Sequence, residues 1–192
     1  MNVSRRRRAW VAYSGVVLVV GSSLAPGASI IGIQVFSRVN NASDCGSRPA
    51  PCTLTYNSDQ IAALEHVLTL AGSHTIAAAN MSLGGGQATS ACDDDPRQLA
   101  MAALLGAGIA TVVAAGNDSY DASVAYPGCI STAVTVGATD NADAVASFSN
   151  RGVLLDLFAP GVGITSAVED DGYGAKNGTS MAAPHVAGAF AV

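Results

Sequence analysis

The chain has 192 residues, of which 49% are hydrophobic, 12% charged and 5% aromatic. That length suits one ordinary domain, and so apolar a composition excludes a disordered chain. The formal net charge is -5, with four of the nine basic residues at Arg5–Arg8, so the remainder carries five bases against fourteen acids and offers no nucleic-acid surface.

Arg5–Arg8 precede the apolar run Ala9–Val20. A basic region before a short apolar run has the form of a secretory signal peptide, and the run is too short for a stable membrane span. Residues 1–24 are therefore set apart as a divergent or signal-like segment. A buried strand or helix at Val16–Val20 is the competing reading. Residues 25–192 form one unit, with no internal repeat and no linker.

From there, short apolar runs alternate with helical patterns. Ile30–Phe36 reads as a buried strand, and 38–57 as a polar loop holding Cys45 and Cys52. Ser58 is a candidate N-cap for a helix carrying Ile61, Leu64, Val67 and Leu68 at helical spacing, with Gly72 at its end. Ala77–Leu83 is a strand that Gly84–Gly86 break. Asp93–Asp95 and Pro96 mark a helix start, with Leu99, Ala102 and Ala103 as its apolar side. Gly108–Ala115 is a central strand, apolar on both faces. Ser131–Gly137 is another strand, and 156–161 and 164–167 are short ones. An apolar helix begins near Ser180, and the chain stops within it. Near-continuous apolar strands alternating with helices predict an α/β fold, a parallel sheet with helices on both faces. The domain reads as truncated at both ends.

The four cysteines include no C-x-x-C pair, and no histidine sits at a zinc-finger spacing. Their even number and loop settings predict two disulfides and an oxidising compartment, against the alternative of four reduced cytosolic thiols. Cys45 with Cys52 would close a small ring, and Cys92 with Cys129 a longer link. Asp93–Asp95 lack the spaced oxygens and glycine of a calcium loop. No metal-ligand cluster stands out.

Three runs carry chemistry. In Asn177–Gly188, Gly178 allows a tight turn that delivers Ser180 to a helix start, where unpaired N–H groups and the positive dipole end converge. Pro184 is expected in the first helical turn, and Ala182, Ala183, Ala187 and Gly188 permit close packing. In Val112–Asn117, an amide side chain follows a buried strand at the carboxyl edge, where α/β folds place their sites. In Asn80–Gly86, glycines leave backbone groups exposed for strand addition.

These runs closely resemble the subtilisin-like serine proteases (subtilases, peptidase S8 family). The likeness extends through Ala25–Ala28, Pro127–Cys129, Val134–Thr139, Phe148–Asn150 and Gly152. The resemblance implies a three-layer α/β sandwich, secretion, and endopeptidase action on an extended polypeptide. It implies Ser180 as nucleophile and Asn117 as oxyanion-hole donor. Ser82, Leu83 and Gly84 would line the substrate groove, and Ala114, Ala115 and Gly116 would wall the specificity pocket. No cofactor is required; members often hold structural calcium in loops, but no pattern here places one. The oligomeric state is not set by the sequence.

The chain departs from the family at one place. An aspartate motif and a His-Gly-Thr-His-Val-Ala-Gly motif should lie upstream of residue 25, yet residues 1–24 contain neither Asp nor His. His185 lies five residues after Ser180 on the same helix and points away from it. His66 and His74 have no motif around them, and Asp118 and Asp156 read as loop or strand-end acids. The expectation is a serine endopeptidase site holding nucleophile and oxyanion donor without its base, hence inactive alone. A non-catalytic peptide-binding pseudoprotease and a non-functional gene fragment are the alternatives.

Overall fold

A computed structural model of the chain describes residues 16–19, 24–46, 48–168 and 172–192. Of the divergent or signal-like segment 1–24, residues 1–15 and 20–23 lie outside the described residues. In chain order the elements are β1 (Val16–Val19), β2 (Ile31–Gln34), β3 (Phe36–Val39), β4 (Cys52–Thr55), α1 (Asn57–Leu70), β5 (Ala78–Met81), β6 (Gly85–Ala88) and α2 (Gln98–Gly106). They continue with β7 (Ala110–Ala114), β8 (Val124–Tyr126), β9 (Ala133–Thr139), β10 (Leu157–Pro160), β11 (Ile164–Ala167), β12 (Tyr173–Lys176) and α3 (Thr179–Ala189).

The main sheet runs in the order β10-β9-β7-β5-β1-β2. β10, β9, β7 and β5 are mutually parallel, as the apolar strands predict. β1 runs antiparallel to both β5 and β2, which makes that edge mixed. The sheet is covered on both faces. Leu64 and Val67 of α1 and Met101 and Leu104 of α2 share one core with Ala79, Met81 and Val113. Ala182, Ala183, Val186 and Ala187 of α3 share the other with Ala78, Val112 and Ala114. The alternation follows from the strand period, which sends neighbouring side chains to opposite faces.

Several local expectations are corrected. The run from Ile30 to Phe36 is divided at Val35: β2 joins the main sheet, whereas β3 leaves it to pair with β4. The supposed polar loop is therefore a hairpin, and its tip is tied by the Cys45–Cys52 disulfide. A second disulfide joins Cys92 to Cys129. Ser58 is not the cap of α1: Tyr56 holds that position, with no side-chain cap bond. α2 starts after Arg97 rather than at Pro96, and it buries Ala100, Met101 and Leu104. Leu99 is 80% exposed; a helix apolar nearly all round gives periodicity nothing with which to choose a face. Gly84–Gly86 do not merely break a strand, because β6 begins among them and pairs with β8.

Candidate active site

β5 and β7 run in register, Met81 beside Val113, and so end at the same edge of the sheet. The segments that follow them are Ser82–Gly84 and Ala115–Asn117, and the first turn of α3 closes on both. Two glycines make this approach possible. Gly116 has φ +105°, and a Cβ there would run into Asn150 Nδ2. A Cβ on Gly84 would lie 2.7 Å from the Tyr126 carbonyl oxygen.

Thr179, fully buried, fastens the Gly116–Asn117 turn to α3. Gly116 N–H donates to Thr179 Oγ1 (3.1 Å), and that hydroxyl donates to Asn117 Oδ1 (3.0 Å). Thr179 N–H donates to the same Oδ1 (2.8 Å). A backbone N–H can only be met by the oxygen of an amide, so these bonds fix which way Asn117 faces and leave its Nδ2 free to donate. Behind the turn, the buried side chain of Asn150 donates to the Ala115 carbonyl (3.0 Å) and accepts from Asp118 N–H (2.9 Å) and Tyr120 N–H (3.2 Å).

Ser180 is connected to the strand side. Pro184 lies in the second turn of α3, not the first, and has no N–H for the carbonyl four residues earlier. That carbonyl belongs to Ser180, and it accepts from Ser82 Oγ instead (2.7 Å). Ser82 Oγ in turn accepts from Asn80 Nδ2 (2.9 Å), whose Oδ1 is buried without a partner among the described residues. Ser180 Oγ donates to the Ser82 carbonyl at 3.4 Å.

These residues face one cleft of about 640 Å³. Ser82, Leu83, Gly84, Ala114, Gly116, Asn117 and Ser180 all line it, together with Thr179, which sequence reasoning left without a role. Ala115 is placed differently: it is fully buried and packs into the α1/α2 core. No histidine reaches Ser180. His185 Nδ1 donates to the Met181 carbonyl (2.8 Å), His74 Nδ1 lies beside Ser73 Oγ (2.9 Å), and His66 is exposed on α1. Asp156 accepts from Thr135 N–H, and Asp118 accepts from Asn150. Among the described residues no group of three or more His, Cys, Asp or Glu is placed to hold a metal ion, and no helix is long and apolar enough to cross a membrane.

Thr179 and Asn150 hold the Gly116–Asn117 turn, and the sequence, though it placed both in matching segments, assigned neither a role. Thr179 stands within the serine run, where nothing local distinguishes it from its neighbours. Asn150 had a readable signal, an amide beside the near-apolar run Ala144–Phe148, since a buried amide must be bonded.

Comparison with known proteins adds independent weight. The sequence profile of the Subtilase family matches residues 11–192. An alkaline serine exoprotease A from Vibrio alginolyticus is 40% identical over 166 residues, which are 86% of this chain and 30% of that protein. An extracellular serine proteinase of Thermus sp. strain Rt41A is 49% identical over 115 residues, 59% of this chain and 27% of that protein. The chain thus spans about a third or less of these two relatives. The crystal structure of a cold adapted subtilisin-like serine proteinase superposes with a TM-score of 0.67 at 35% identity, over 89% of this chain and 56% of that one. The profile match over most of the chain and the superposed fold show that the chain belongs to the subtilase family.

Proposed function

We propose that the cleft binds an extended polypeptide and presents its scissile carbonyl to Ser180, the nucleophile of serine endopeptidase chemistry. The observation that carries this reading is that one cleft gathers the Ser82–Gly84 strand end, Asn117 and Ser180. A peptide laid beside Ser82–Gly84 would pair with exposed backbone, with specificity read by pockets on alternate side chains. Ser180 Oγ would attack the carbonyl. The oxyanion would be met by Asn117 Nδ2, already oriented by Thr179, and by Ser180 N–H in a helical turn that has no intrahelical acceptors. The chemistry calls for no cofactor. The two disulfides favour an oxidising, extracellular setting.

A serine hydroxyl is a weak nucleophile until a base takes its proton. Here Ser180 Oγ donates to a backbone carbonyl, and all three histidines are engaged or exposed elsewhere. We therefore expect the 192-residue chain alone to hold peptides without turning them over beyond the oxyanion contribution, roughly 10³–10⁴-fold over water in a triad-deficient protease. Peptide hydrolysis by the purified chain tests this: near-background rates are expected, and full turnover abolished by a serine-directed inhibitor would overturn it. A non-catalytic peptide binder is the second reading, favoured by the Ser180 Oγ bond to Ser82. It expects Ser180→Ala to leave peptide affinity intact even after a base is supplied.

A further inference from the structure

The part of the cleft beside β4 is built unlike the rest. Arg97 lines it, although its side chain is only 6% exposed. Its Nε and Nη2 donate to the two carboxylate oxygens of Asp95, and its Nη1 donates to Gln60 Oε1 (2.8 Å). Gln60 Nε2 then donates to Thr55 Oγ1 (3.3 Å) on β4. A guanidinium has five N–H donors, and these bonds occupy three, leaving two without an acceptor among the described residues. Arg48, exposed within the ring closed by Cys45–Cys52, lines the same part and donates to the Thr53 carbonyl (3.3 Å). The ionisable residues lining the cleft besides Tyr126 are Arg48, Arg97 and, beside Asn117, Asp118.

Stability alone gives no reason for such a floor. An ion pair held out of water is often matched or bettered by apolar residues of the same volume. A forked, pre-oriented guanidinium with spare donors is instead suited to a carboxylate. Asp95 neutralises Arg97 while holding it rigid, and Arg48 adds a positive charge that has no ion-pair partner among the described residues. Asp118, next to Asn117 in the chain, gives the Asn117 part of the cleft the opposite sign.

We propose that the Arg97–Arg48 part of the cleft is a specificity subsite for an acidic side chain, Asp or Glu, on a peptide residue other than the one presented to Ser180. The proposal rests on the cleft being a polypeptide site, as inferred above. Because side chains of an extended chain alternate in direction, one peptide position dominates the preference.

The test is binding of short N-acetylated peptides to the whole chain by fluorescence anisotropy, with Glu, Gln, Leu or Lys placed at each position in turn. At one position Glu binds about tenfold tighter than Leu, as a charged hydrogen bond would give, and rising salt narrows the gap. Arg48→Gln, an exposed change that does not threaten the core, also narrows it. The paired swap Asp95→Leu/Arg97→Met leaves no unpaired charge and turns the preference toward Leu. Peptides that bind competitively but show no Glu preference at any position would overturn this proposal and spare the polypeptide reading. A Glu preference unchanged in both variants would also overturn it. No peptide binding at all would remove both.

Discussion

The two faces of the sheet are held in different ways. On the α1/α2 face, Leu64, Val67, Met101 and Leu104 are fully buried, and bulk apolar packing sets the helices at a distance. On the α3 face the fully buried helix residues Ala182, Ala183 and Ala187 are small, and the helix backbone comes close enough for Thr179 and Ser180 to be bonded directly to the strand ends. Large side chains supply free energy but tolerate sliding. Small ones give up area in return for a backbone separation short enough for hydrogen bonds of fixed length. The proposed chemistry sits on the second kind of face.

That contrast can be broken by experiment. On the bulky face, Cys92→Ala/Cys129→Ala removes the longer crosslink and is expected to cost about 4 kcal/mol, read from the urea midpoint. Leu104→Ala should cost about 3 kcal/mol through lost burial and a cavity. Both should leave peptide affinity unchanged under conditions where the chain stays folded. A large loss of affinity in either would show that the faces are not separable. On the α3 face, Thr179→Val leaves Gly116 N–H without its acceptor and should cost only about 1–3 kcal/mol. Its effect on peptide binding should be out of proportion to that, because the Gly116 turn is unfastened and Asn117 Oδ1 keeps only the bond from the residue-179 N–H.

The smallest expected effect concerns acid. Burial pushes the Asp95 carboxyl up, but the hydrogen bonds and charge of Arg97 more than offset this and leave it below its ordinary value. The unfolded chain therefore takes up the proton first as pH falls. Stability from the pair is complete above the ordinary carboxylate range and is lost as pH drops through the folded pKa. Urea midpoints followed through that acid window should fall more steeply for the natural chain than for Asp95→Leu/Arg97→Met. Parallel curves would show that the pair contributes nothing to the pH dependence.

Much of the fold was legible because parallel strands buried on both faces write themselves as apolar runs, as at Gly108–Ala115. The serine helix was legible because its small residues and glycines have few other uses together. What escaped depended on contacts far apart in sequence. Nothing local says that Leu99 faces water while Ala100 does not, or that Arg97 finds Gln60 thirty-seven residues earlier. β12 was missed because Tyr173–Lys176 lacks apolar alternation and is held by pairing with β11. Pro184 was placed a turn too early, and so its partner carbonyl was not anticipated.

Pro184 has a consequence for how the site would respond to load. Because Ser180 C=O is tied to Ser82 rather than to the helix, the proposed nucleophile and the strand end proposed to receive a peptide are bonded directly to each other. Tension on a bound polypeptide would then be transmitted to the serine itself instead of opening a gap in front of it. The same wiring makes the spacing between hydroxyl and peptide insensitive to bending of α3 further along. A helix with an alanine at that place would recover its internal bond and lose this mechanical coupling.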